Sequence, residues 1–142
     1  MIPVRVLRVE LARAPCRARL PFRFGAVTVT AADLMTCRLA AASGGERATG
    51  WSADLLVPRW FRKDVERGPR EDAAALAASA EEAARAFVAA GEGSVADLVA
   101  SAFAARVASQ PHDAPDLLER GFGVALVERA FAGRATKQDA TP

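Results

Sequence analysis

Hydrophobic and polar positions alternate with a period of two over residues 4–13. Leu7, Val9 and Leu11 share one parity, while Arg8, Glu10 and Ala12 share the other. That period predicts a β-strand. Val4 and Val6 fall on the opposite parity, so the strand is expected to bulge near its start. Residues 14–26 are basic and contain Pro15 and Pro21, and they predict a long loop of the kind that often carries function. Residues 28–41 predict a second strand. Val29, Ala31, Met35, Cys37, Leu39 and Ala41 lie on one face, and Thr28, Thr30, Thr36 and Arg38 on the other. Ser43-Gly44-Gly45 is a turn signal, and residues 46–53 predict a third strand with Trp51 near its end. The expected product is a three-stranded antiparallel β-meander with one buried face.

The second half changes period. Leu76, Ala80, Ala83, Ala84 and Phe87 recur at helical spacing and predict a helix over residues 71–90, with Glu71 and Asp72 in its first turn and Gly91 at its end. Ser94 with Asp97 three residues later reads as a capping box. The helix it opens carries a stripe of Val95, Leu98, Val99, Ala102, Phe103 and Val107, and Pro111 stands past its end. Pro115 precedes a third helix through Leu117, Leu118, Phe122, Ala125 and Leu126 towards Ala130. Gly121 and Gly123 weaken that helix, which makes sense where another backbone packs close by. The fold class is therefore α+β: the meander followed by a bundle of about three helices. Residues 1–132 form one domain, and residues 133–142 a polar tail.

Composition adjusts this picture in two ways. The 142 residues suffice for one core, but alanine supplies much of the apolar half, so the core depends on Leu, Val, Phe and Trp. Net charge is +2 overall, yet residues 1–70 hold 13 basic and 6 acidic side chains and residues 71–142 hold 6 and 11. A basic front half is one mark of nucleic-acid binding. A basic meander packed beside an acidic helical half gives the same numbers, and nucleic acid is not the expected partner. Trp60-Phe61 among Arg59, Arg62, Lys63 and Arg67 could stack bases; aromatics covering the sheet or an adjoining domain are the simpler reading. The start of the chain, with Arg5 and Arg8 close behind Met1, does not read as a secretory leader, and no apolar run approaches the ~20 residues of a membrane span. A cytoplasmic location is expected, with no membrane partner.

Candidate chemistry is sparse. There is no P-loop, Gly-x-Gly-x-x-Gly, His-Glu-x-x-His or Gly-x-Ser-x-Gly pattern. Cys16 and Cys37 have no zinc-like spacing; they could approach each other across the first hairpin. His112, the sole histidine, reads as a solvated loop residue, and Glu81-Glu82 as a solvated pair. Lys63 and Lys137 lie in polar surroundings unsuited to a general base. No catalytic residue, metal ligand or cofactor is expected in this chain.

One stretch stands out. Residues 20–33 run Leu-Pro-Phe-Arg-Phe-Gly-Ala-Val-Thr-Val-Thr-Ala-Ala-Asp, and two phenylalanines flank an arginine ahead of a β-branched run. This resembles the loop between the first two strands in the N-terminal domain of the enolase superfamily, mandelate racemase/muconate lactonizing branch. Gly50-Trp51-Ser52-Ala53 is similar to that family's end of strand three, and Gly123-Val-Ala-Leu-Val-Glu-Arg-Ala130 to its helix leading into the barrel. The resemblance implies a capping domain that shapes substrate access to a barrel. It makes Phe22, Arg23 and Phe24 the substrate-loop candidates, with Trp51 beside them, and Arg23 could pair with a carboxylate. In that family a Mg²⁺ held by three acidic residues, with Lys or His bases, lies in the barrel. The sequence stops where a barrel would begin, so the expectation is a truncated cap without the ligands for Mg²⁺ and without activity of its own. Its partner would be a barrel domain or a second copy, docked on an apolar face of the third helix and sheet. The alternatives are a stand-alone interaction module, dimeric through that face, and a weak nucleic-acid binder acting through the basic front half.

Overall fold

The computed structural model describes residues 2–57, 67–108 and 117–133. Its architecture is α+β: a four-stranded antiparallel sheet and three helices. Strands β1 (Val4–Phe24), β2 (Val27–Ser43) and β3 (Glu46–Leu55) follow one another as hairpins, and β4 (Glu92–Gly93) adds to the free side of β1, giving the order β3-β2-β1-β4. The fourth strand is a departure from the three expected. Two residues ahead of a helix cap carry no readable period; Glu92 and Gly93 pair with Arg5 and Val4, and Glu92 also meets Arg5 in an ion pair of 3.4 Å.

The larger correction concerns residues 14–26. Residues 14–24 are strand rather than loop, and Gly25 and Ala26 form the turn. β1 runs on for 21 residues to Phe24, and its ladder with β2 resumes at Phe22↔Val29 after a break between Arg17 and Phe22. The expected bulge near the start of β1 is present between Val6 and Arg8. It restores the parity that lets Val6, Val9 and Leu11 face the helices together.

Helix α1 (Pro69–Ala89), α2 (Val95–Phe103) and α3 (Leu117–Ala132) cover one side of the sheet. The Ser94–Asp97 capping box forms as expected, with Asp97 N–H donating to Ser94 Oγ at 3.1 Å. A single π turn over Ala104–Ala108 follows α2. Met35, Cys37 and Leu39 of β2 meet Leu76, Ala80, Ala83 and Phe87 of α1, Leu98 of α2 and Leu126 and Val127 of α3 in one core. At ~25 cal/mol per Å² of apolar surface, these side chains supply most of the folding drive.

Gly123 explains how α3 reaches α1. A Cβ there would collide with the Ser79 carbonyl, and Ser79 Oγ accepts from Gly123 N–H at 3.1 Å while donating to the Arg120 carbonyl at 3.0 Å. Gly121 has open space around it, so the expected close backbone exists for one glycine and not the other. Phe103 and Leu118 are exposed, as is Ala125, so the apolar stripes of α2 and α3 are narrower than their spacing suggested. α3 buries Val124, Leu126, Val127 and Ala130 inside the chain. Leu118 stays exposed on the same helix. The segment with Trp60 and Phe61, the loop with Pro111, His112 and Pro115, and residues 134–142 lie outside the described residues.

Candidate functional site: a two-stranded arm and the cleft beneath it

β3 ends at Leu55, opposite Leu34. Past that rung, among the described residues, β1 and β2 alone continue, and the sheet narrows into a two-stranded arm. Residues 27–33 of β2 carry it about 20 Å outward at the usual strand rise. Every described β1 side chain from Ala12 to Arg23 is exposed. The arm closes on a two-residue turn, Gly25-Ala26, between paired Phe24 and Val27. Gly25 has φ 60°, and among the described residues no non-glycine, Ala26 included, has positive φ, the pattern of a type II′ hairpin turn.

The arm carries the candidate residues at its end. Phe22 is 61% exposed and Leu20 79%. Arg23 pairs with Thr28 in the ladder, and its Nε donates to the Gly25 carbonyl at 3.2 Å. Phe24 pairs with Val27 through the backbone, and its side chain lies outside the described residues. The break between Arg17 and Phe22 sets five steps of β1 against two of β2. Pro21, which has no N–H to give the ladder, sits within that insertion.

Trp51 does not join this group. It pairs with Arg38 across β2–β3, roughly ten residues of strand, or about 34 Å, from the tip. Phe22 stands opposite Val29, on the β2 parity that includes Met35 and Cys37. Trp51 takes the other parity, on the sheet face without helices. There the Arg38 guanidinium lies 5.7 Å from the Trp51 ring centre and donates to Glu10 at 2.7 Å, with Arg8 on the other side of Glu10 at 2.9 Å. This row is a cross-strand stack on a sheet surface.

Between the arm and the first turn of α1 lies a cleft of about 610 Å³, lined by Arg13, Arg17, Val29, Asp33, Leu56, Arg70 and Asp72, among others. Its lining mixes apolar and charged side chains, which suits a ligand or a docked surface. β1 holds six arginines against one glutamate, and among the described residues Arg17, Arg19 and Arg23 form no ion pair with an acid. The arm therefore projects positive charge beside an apolar tip. Sequence reasoning missed the pairing of Arg13 with Asp33 at the arm's root, because the two stand 20 residues apart and become neighbours only through the register.

A second polar group lies between helices. Arg67 reaches Glu119 at 3.2 Å and buried Asp72 at 3.8 Å, and Arg106 pairs with Glu82. Burial and neighbouring Arg120 lower the Arg106 pKa from its ordinary value. The Arg67–Glu119 pair joins the start of α1 to the first turn of α3, and the Arg106–Glu82 pair joins the π turn after α2 to the middle of α1, an arrangement suited to helix placement. Cys16 and Cys37 are both free. Cys16 stands opposite Ala32 and Cys37 opposite Leu11, five rungs apart, so no bridge joins them within the chain. Burial raises the Cys37 thiol pKa, partly offset by Ser52. Among the described residues no group of three His, Cys, Asp or Glu could hold a metal ion, and no helix is long and apolar enough to cross a membrane. No family model, no curated protein and no solved structure matches the chain.

Proposed function

We propose that this chain is a capping domain of the mandelate racemase/muconate lactonizing type, which shapes substrate access to a catalytic barrel and performs no chemistry alone. One observation carries the reading: the Pro-Phe-Arg-Phe-Gly segment lies at the end of a projecting arm, with Phe22 and Arg23 exposed above a cleft. Phe22 offers an apolar wall to the distal part of a substrate, and Arg23 a guanidinium for a carboxylate. Any Mg²⁺ and the acid–base groups would come from the barrel. The reading carries a cytoplasmic location with it.

The test is a domain replacement. An enzyme of that branch receives this chain in place of its own cap, and kcat/KM is measured over a panel of carboxylic acids. Phe22→Ala and Arg23→Ala should each shift the preference between panel members by about tenfold, roughly 1.4 kcal/mol, with the fold intact. An unchanged preference would refute the substrate-facing role.

The arginine bias of β1 favours one second reading, a polyanion held along the arm. Nucleic acid titrated at low salt would then bind with a steep salt dependence. Capping predicts no such binding.

A further inference from the structure

The root of the arm is a mechanical junction. Below the Leu34↔Leu55 rung, β2 is flanked by β1 and β3 and packed on helices. Above it, among the described residues, β1 and β2 project as a pair with no β1 side chain buried. A two-stranded ribbon alone is marginally ordered in water, so its direction must be set at the junction. Asp33 sits there and makes two connections. Its carbonyl accepts from the N–H of Leu56 at 2.8 Å, and Leu56 is a core residue, 3% exposed. Its carboxylate accepts from Arg13, with Nε and a terminal nitrogen each 2.6 Å from Oδ2. Arg13 is opposite Met35 and Asp33 is opposite Pro15, so the ion pair runs diagonally between the strands on the side that faces the cleft. Both residues line that cleft, with Arg70 and Asp72 of α1 across from them.

We propose that Arg13 and Asp33 are positioning residues: their ion pair fixes the tilt of the arm over the cleft and so places Phe22 and Arg23. The functional consequence rests on the capping reading, whereas the geometric effect belongs to the free chain. A half-exposed pair contributes little to global stability. Its effect here is on direction, because each degree of freedom at the root is multiplied along the ribbon. Leu56 fixes β2 to the core through Asp33, and the Arg13 guanidinium transfers that fixture to β1. Removing either charge leaves the ladder hydrogen bonds in place and frees the ribbon to swing.

The test is made on the full chain with Cys16→Ser. Spin labels are attached at Thr28→Cys on the arm and Arg85→Cys on α1, both exposed positions, while buried Cys37 stays unlabelled. Electron–electron distance distributions are recorded for the parent, Asp33→Asn, Arg13→Gln and the swapped pair Arg13→Asp/Asp33→Arg. The parent should give one narrow distribution. Each single variant should broaden it about twofold at an unchanged Tm, and the swapped pair should recover most of the parent width. Parent chain in about 1 M salt, where the screening length falls to about 3 Å, should broaden in the same sense. Parent-like widths in both single variants would overturn the proposal. Broadening that the swapped pair fails to reverse would also overturn it, since packing would then be the cause. Failure of capping is separable: it appears as unchanged substrate preference in the Phe22 and Arg23 chimeras, and the distance measurement needs no barrel.

Discussion

Gly121 and Gly123 answer the same substitution in opposite directions. At Gly121 an added methyl meets open space, so Gly121→Ala should gain up to about 1 kcal/mol of helix stability. At Gly123 the methyl meets the Ser79 backbone, and Gly123→Ala should cost about 1–3 kcal/mol through overpacking; urea unfolding of the two variants separates them. Both glycines looked alike in sequence, since one chain position carries no record of the backbone that will lie against it. The cysteines allow a second check. Cys16 is exposed and Cys37 is buried, so native protein should be alkylated at Cys16 and at Cys37 only on unfolding. Because burial raises the Cys37 pKa above its ordinary value of about 9.0, the folded chain holds a proton that the unfolded chain releases. That contribution to stability is present below pH ~9 and is lost as pH climbs through the folded value. The urea midpoint should therefore decline above pH ~9, and Cys37→Ala should flatten the decline.

Elements were legible where one side faces a core. The α1 stripe of Leu76, Ala80, Ala83 and Phe87 is fully buried, and the Ser94–Asp97 box caps α2 where its spacing placed it. Ser94→Ala should cost about 1 kcal/mol, read as a lower thermal midpoint. The arm was illegible for the converse reason. Residues 12–23 of β1 touch no core, so nothing imposed an apolar period on them, and Pro15, Pro21 and four arginines imitate a loop. The same fact yields a prediction: no described side chain between 12 and 34 belongs to the buried core. Replacing residues 16–32 with a two-residue turn should leave the thermal midpoint within a few degrees of the parent, on the scale where ~1 kcal/mol moves Tm by about 2–8 °C. A collapse of the folded state on excision would mean that the arm is part of the scaffold.

For the molecule as a whole, the chain builds a core of helices against one sheet face and extends part of that sheet past the core. Candidate residues divided accordingly. Phe22 and Arg23 went to the arm, whereas Trp51 went to the helix-free sheet face in a row with Arg38 and Glu10, because strand parity and rung, which three short sequence matches do not encode, decide who meets whom. A sheet extension that adds nothing to the core has a reason to exist if it reaches something outside it, and its exposed Leu20 and Phe22 among arginines are what it would present. Site-specific photo-crosslinking from position 22, in the domain-replacement enzyme, tests that idea most directly. The account predicts crosslinks to the loops at the barrel mouth, reduced when a substrate-like acid occupies the site; crosslinks confined to a second copy of the cap, or none to the barrel, would contradict it.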